Sequence, residues 1–315
     1  MLLARLLPAR VKVAAALALG CAAGAMLALQ ARINGELTER VGPALISALT
    51  NFVVGLVVVV AVLTVTRRWP AVASLRSGER RLWWFGGGLC GVLLVATVAY
   101  AVPIVGVSLL VICLVAGQLV GGLVVDRAGI SPGGQRPVTA ARLAGAALAM
   151  CAVLLSRWGS DVEVRLLIIA LISLGGFMSA VQQAANAHLR RHSDDVLVAV
   201  LVNFVVGTVA LVVLCVAQFG GDRLGDISWP GQPLWLYAGG VLGVAFVAIT
   251  TSLVRLLGVL RLTMSVVAGQ LLGALLLDVF WRTAARPTAQ LYAALVLVLV
   301  AVSVAGRGTR SSLRR

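Results

Sequence analysis

Eight carboxamides are the side chains best equipped for chemistry in this sequence. Gln30 and Asn34 lie four residues apart, as do Gln182 and Asn186, with Gln183 beside the second pair. On a helix that spacing places both amides on one face. Asn51, Gln118, Asn203 and Gln270 each interrupt a long apolar run. An amide offers donors and an acceptor without a charge, so the set can hold a polar ligand by hydrogen bonds. Taken singly, each amide reads rather as a contact between helices, at about 0.6–2 kcal/mol apiece; for the duplicated set the sequence leaves both uses open.

These residues recur in one frame. Asn51-Phe-Val-Val-Gly55 returns as Asn203-Phe-Val-Val-Gly207, and Val115-Ala-Gly-Gln-Leu119 returns as Val267-Ala-Gly-Gln-Leu271, both 152 positions on. At the same offset Gln30 meets Gln182, Asn34 meets Asn186, Trp83 meets Trp235 and Asp126 meets Asp278. Matched Val or Leu would mean little in an apolar chain, but matched Asn, Gln, Trp and Asp mark a duplicated unit. Glycines repeat as well: Gly87 and Gly91 with Gly239 and Gly243, and Gly117 and Gly121 with Gly269 and Gly273. Small residues four apart let helix backbones approach closely, so these positions are expected to pack helices.

Catalytic signals are missing. The chain has no phosphate-binding Gly-Lys-Ser/Thr loop, no His-Glu-x-x-His, no Cys-x-x-Cys and no nucleophile elbow. No catalytic residue, metal site or cofactor is expected, and the protein reads as a non-enzyme. The five cysteines lie inside apolar runs without paired spacing and read as small apolar residues. No Asp, Glu or Lys falls at the middle of an apolar run, where a proton or sodium relay would sit. Asp126 and Asp278, at equivalent run ends, are the nearest candidates for coupling; the competing reading is a solvated helix end beside Arg127 and Arg282. His188 and His192 have no counterpart in the first copy.

The elements that must position these groups follow from composition. Of 315 residues 61% are hydrophobic and only 12% charged, and apolar runs of membrane-spanning length recur. The runs are continuous rather than alternating, so helices are expected and not a barrel. The protein is therefore read as an all-α polytopic membrane protein. Ten spans are drawn: 13–33, 44–66, 82–102, 104–125 and 139–156, then 165–187, 196–218, 234–254, 256–280 and 289–305. Two five-helix repeats result, residues 1–157 and 158–315. Spans three and four join tightly at Pro103, which cannot continue helical hydrogen bonding. Tryptophans near span ends, among them Trp69, Trp83, Trp84 and Trp235, are expected as interface anchors.

Five spans is an odd number, so the second repeat must enter the membrane inverted. Basic residues test this: 19 of the 26 fall on the side that holds both termini and seven on the other. Positively charged loops stay inside, so both termini are expected in the cytoplasm of a bacterial inner-membrane protein. The net charge of +15 belongs to this orientation signal, and no nucleic-acid partner is expected. In this topology Gln30, Asn34, Asn51 and Gln270 form an outer polar group, and Gln118, Gln182, Asn186 and Asn203 an inner one.

Gln30-Ala-Arg-Ile-Asn34, the Asn51-to-Gly55 segment, Trp83 through Gly91 and Val115-to-Leu119 with Asp126 resemble the YdcZ family, and the second copy resembles it equally. The resemblance implies an inner-membrane exporter of the drug/metabolite transporter superfamily. Because members are often single five-helix units, it also implies a fused pair. The family brings no substrate with it. Small multidrug resistance relatives carry a Glu within their first helix; here Glu36 and Glu39 are expected to follow that helix, which argues against their proton-coupled antiport of cationic drugs.

An inverted repeat of helices suits a secondary transporter whose substrate site lies between the halves. The leading expectation is an exporter of a small metabolite or drug-like molecule by alternating access, acting as a monomer or homodimer among membrane lipids. The alternatives are a lipid-carrier flippase and a membrane scaffold or partner subunit whose amides only lock helices together.

Overall fold

The computed structural model describes residues 9–76, 81–130, 134–135, 138–155, 163–223, 233–280 and 289–312, and all regular structure among them is helical. The first half contains α1 (Ala9–Val41), α2 (Ala44–Val65), α3 (Gly87–Arg127) and α4 (Ala140–Leu155). The second contains α5 (Glu163–Ser193), α6 (Val196–Arg223), α7 (Ala238–Phe280) and α8 (Ala289–Ser312). Short helical turns at Trp69–Val72, Ala73–Arg76 and Leu82–Gly86 precede α3, and another at Leu234–Tyr237 precedes α7.

α3 has 41 residues and α7 has 43. At about 1.5 Å per residue each would be roughly 60 Å if straight, twice a bilayer's hydrocarbon core. Neither is straight. Leu94 and Leu114 both line one cleft, and a Cβ placed on Gly175 would lie 3.6 Å from Leu94 Cα and 3.9 Å from Leu114 Cδ2. α3 therefore doubles back. The reversal is at Gly106, with φ 75° and ψ 170°, a conformation only glycine adopts readily. Pro103 lies inside the continuous helical stretch, so the junction expected at proline falls three residues later, where the missing side chain matters. In α7, Gly243 and Gln270 both neighbour Gln30, which requires the same return.

Among the described residues seven helical stretches are long and apolar enough to cross a membrane: Val11–Val41, Ala44–Val65, Leu82–Val107, Leu109–Arg127, Leu166–Ser193, Val196–Gly220 and Leu234–Leu253. Leu143–Ala152, Leu262–Leu277 and Tyr292–Ala301 are shorter apolar helices, at the places of the fifth, ninth and tenth expected spans. The chain is a polytopic helical membrane protein.

The halves are interleaved. α1 packs chiefly against α7, and α3 against α5; α2 meets α6, and α4 meets α8. Individual contacts repeat at the 152 offset. Gly24 abuts the backbone of Val266 and Gln270, as Gly176 abuts that of Leu114 and Gln118. Gly269 abuts Cys21 O, as Gly117 abuts Ser173 O. Such reciprocity, residue i on j′ and j on i′, is the signature of a two-fold relation. Glycine is needed here because helix backbones touch.

Local chemistry sets the helix ends. Asp195 caps α6, its Oδ1 accepting from Leu197 N–H at 2.8 Å. α3 ends in a paired turn: Gly129 N–H donates to Asp126 O (3.3 Å) and Ile130 N–H to Val125 O (3.0 Å), with Gly129 at φ 69°. The chain folds back over this end, and Asp126 is buried rather than solvated as expected. The side chains of Asp278, Arg255 and Arg261, and all of Arg282, lie outside the described residues. Glu36 and Glu39 fall within α1, which runs eight residues beyond the expected span to Val41. Glu36 is bonded to Arg32 (3.2 Å) and Arg40 (3.1 Å), one turn to either side; this ladder satisfies the helix where it outlasts its apolar stretch.

Candidate functional site

Each half assembles a buried amide trio from its first two helices. In the first, Gln30 Nε2–H donates to Asn51 Oδ1 at 3.2 Å, and Asn51 Nδ2–H to Asn34 Oδ1 at 2.8 Å. In the second, Gln182 Nε2–H donates to Asn203 Oδ1 at 2.8 Å, and Asn186 Nδ2–H to the same oxygen at 3.5 Å. The pair on α1 or α5 shares a face because of its four-residue spacing, and the asparagine of α2 or α6 closes the triangle.

The other half supplies the cover. A Cβ on Gly87 would meet Asn186 Oδ1 at 2.7 Å, and one on Gly91 would meet Gln182 Nε2 at 2.7 Å. Equivalently, Gly239 lies over Asn34 and Asn51, and Gly243 over Gln30. These four glycines let a helix rest directly on the amides, whereas Gly117, Gly121, Gly269 and Gly273 touch the backbone or small side chains of α5 or α1. Gln270 shares a cleft with Gln30 and Asn34, and its Oε1 is buried without a partner. Gln118 is buried with its backbone against Gly176.

Two clefts flank these trios at equivalent positions, and they differ in size. Ser179, Gln182, Gln183, Asn186, Phe246, Val247 and Thr250 border a cavity of ≈ 320 Å³ between α5 and α7. Leu27, Gln30, Ala31, Asn34, Leu94, Val95 and Val98, the residues 152 positions earlier, border one of only ≈ 20 Å³. Leu110, Val111 and Leu114 of the returning arm of α3, together with Gln270, occupy the border of the smaller cleft. The open cavity is lined by second-half residues, whereas the sequence suggested a site between the halves; the first half contributes the glycines behind its amides.

The open cavity is also more polar than its twin. Ser179 replaces Leu27, Gln183 replaces Ala31, Thr250 replaces Val98, and Arg190, Arg191 and Asp194 stand on its wall where the first half has Thr38, Glu39 and Gly42. An Arg190 guanidinium N–H donates to the Thr251 carbonyl, tying α5 to α7. Apart from Gln183, these residues escape a repeat comparison, which rewards identity. The signal available was the opposite one: polar residues present in only one copy.

Beside this cavity, Trp84 stacks on His188 with ring centroids 5.3 Å apart at 12°, and Trp83 meets it edge-on at 5.0 Å. His188 Nε2 lies 2.9 Å from Ile130 O, and His192 Nε2 lies 3.2 Å from Ser74 O. Of the tryptophans expected as interface anchors, Trp83 and Trp84 thus also pack on the end of α5, because the turn at Leu82–Gly86 brings them over it.

A family model described as "Putative inner membrane exporter, YdcZ" matches the chain twice, over residues 15–155 and 167–305. A solved crystal structure, described only as that of a protein, is similar with a TM-score of 0.59 and 23% identity, covering 94% of this chain and 98% of that one. That likeness concerns the fold. No functionally curated protein matches the sequence. With nearly the whole chain matched in two consecutive units, this multi-pass inner-membrane protein belongs to the YdcZ family.

Proposed function

We propose that the protein is a secondary transporter that moves a small metabolite or drug-like molecule outward by alternating access between two inverted five-helix repeats. One observation carries this reading: two clefts that share seven equivalent lining positions, one of ≈ 320 Å³ and the other of ≈ 20 Å³. A two-fold scaffold whose equivalent sites differ in this way matches one frame of a cycle in which each cleft opens in turn. The ten spans, with both termini cytoplasmic, follow from the five-span repeat and the loop charges. In that orientation the open cavity, with Arg190 and Arg191 at its mouth, faces the cytoplasm and the closed cleft faces outward. The amides hold the ligand, and Gly87, Gly91, Gly239 and Gly243 let the opposite half slide over them.

Paired cysteine accessibility tests the reading. On a background without native cysteines, Gln183→Cys should label from the cytoplasmic side while Ala31→Cys stays protected. A ligand or lock that reverses the cycle should reverse both reactivities. Simultaneous labelling of both positions, or Ala31→Cys inert under every condition while solute moves, would sink alternating access.

A further inference from the structure

We infer that the open cavity takes a small anion, a carboxylate or phosphate that also carries a hydroxyl or amine N–H within a few bonds. The inference rests on the transport reading and names its substrate class.

Gln182, Asn186 and Arg190 follow one another at four-residue intervals on α5 and line the same wall. They form a stripe along one helix face, each step about 6 Å at 1.5 Å per residue. The deep end is amide and the shallow end is guanidinium. Arg190 and Arg191 face the cavity with one carboxylate, Asp194, so the formal charge at the mouth is positive. Arginine presents five donors in a planar fork whose geometry matches a carboxylate or phosphate, and the bond to the Thr251 carbonyl holds the Arg190 guanidinium at the cavity wall. A cationic ligand would meet like charge here, and the deeper lining contains no carboxylate.

One turn deeper the requirement changes sign. Asn186 is 4% exposed, and its Oδ1 has no hydrogen-bond partner. Its orientation follows from the bond its Nδ2–H makes to Asn203. That oxygen is packed against Gly87 of the first half and is turned from the cavity, so the acceptor offered to the ligand comes from the facing helix. Thr250, on α7 and lining the cavity, already donates its Oγ1–H to Phe246 O at 2.8 Å, so its hydroxyl oxygen remains an acceptor for a ligand O–H or N–H. Phe246, Val247 and Ala187 complete the wall with apolar surface for a short carbon skeleton. The closed cleft lacks the two arginines, so anion capture belongs to one side.

The same head-group chemistry could arrive on a soluble metabolite or on a lipid phosphate. The full chain in detergent or nanodiscs would be titrated calorimetrically with glycerol 3-phosphate, 3-hydroxybutyrate and farnesyl phosphate, with glycerol and choline as neutral and cationic controls. At least one anion should bind, Arg190→Gln or Arg191→Gln should weaken it about tenfold or more, and both controls should fail. Unchanged melting curves would show that the variants fold. Binding by farnesyl phosphate alone, lost in the arginine variants, would support the anion site and identify its source as lipid. Binding of choline or glycerol as tightly as the anions, anion binding indifferent to both substitutions, or no anion binding at all would overturn the inference while leaving transport standing. Arginine-dependent binding with no flux in liposomes would do the reverse.

Discussion

Phe52 and Phe204 meet with ring centroids 5.3 Å apart at 49°, and each ring also covers the glycine three residues after the other, Gly207 and Gly55. The motif Asn-Phe-Val-Val-Gly thus recognises its own copy: the phenylalanine of one half fills the space its partner's glycine leaves. An aromatic pair of this kind contributes about 0.5–1.5 kcal/mol beyond area burial. It sits immediately beside Asn51 and Asn203, so the contact that joins the halves also seats both amide trios.

Gly55→Ala and Gly207→Ala should each destabilise the protein by about 1–3 kcal/mol, the usual range for overpacking. A Cβ at Gly55 would lie 2.6 Å from Phe204 Cδ1, and one at Gly207 would lie 2.5 Å from Phe52 Cδ1. Phe204→Leu combined with Gly55→Ala should recover part of the loss. Melting curves for the double-mutant cycle test it, and additive losses would mean that ring and glycine do not interact.

Asn51→Leu should cost more stability than Asn203→Leu. In the closed half, substitution strands Gln30 Nε2 and Asn34 Oδ1, at about 1–3 kcal/mol for each unsatisfied group. In the open half, water from the cavity can reach the stranded groups, and the loss should fall below about 1 kcal/mol. Equal losses in denaturation would show that the two trios are equally dry.

Gly88→Ala and Gly240→Ala should damage folding more than Gly87→Ala and Gly239→Ala. A Cβ at Gly240 would come within 2.5 Å of Asn51 O and 2.7 Å of Gly55 N, and one at Gly88 within 2.6 Å of Asn203 O. Backbone cannot step aside, whereas the amide facing Gly87 can rotate. The yield of folded protein in detergent checks the order, and Gly87→Ala should show its defect in ligand binding instead.

Asp195→Ala should lose about 1 kcal/mol by removing the cap of α6, while Asp195→Asn should lose less than about 0.5 kcal/mol. Asparagine keeps the acceptor for Leu197 N–H and gives up only the exposed ion pair with Arg68, 3.2 Å long; such pairs contribute little. A matching loss in Asp195→Asn, read by thermal melts at low salt, would assign the larger role to Arg68.

The sequence by itself determined the membrane class, the helical architecture and the duplication, because polar residues in an apolar chain are too few to recur in register by accident. It also paired Gln30 with Asn34 and Gln182 with Asn186, since four-residue spacing on a helix is local geometry. It placed the reversal of α3 at Pro103, although the backbone turns at Gly106, where a positive φ is required. Identity between the copies drew attention to the eight amides and away from Arg190, Arg191 and Thr250, which only one copy has. Which of the two equivalent clefts is open is a matter of tertiary structure alone. Both copies have nearly the same trio, and the difference lies in whether the returning arm of α3 closes on α1 or α7 stands off from α5, a choice between whole-helix placements that no local pattern encodes.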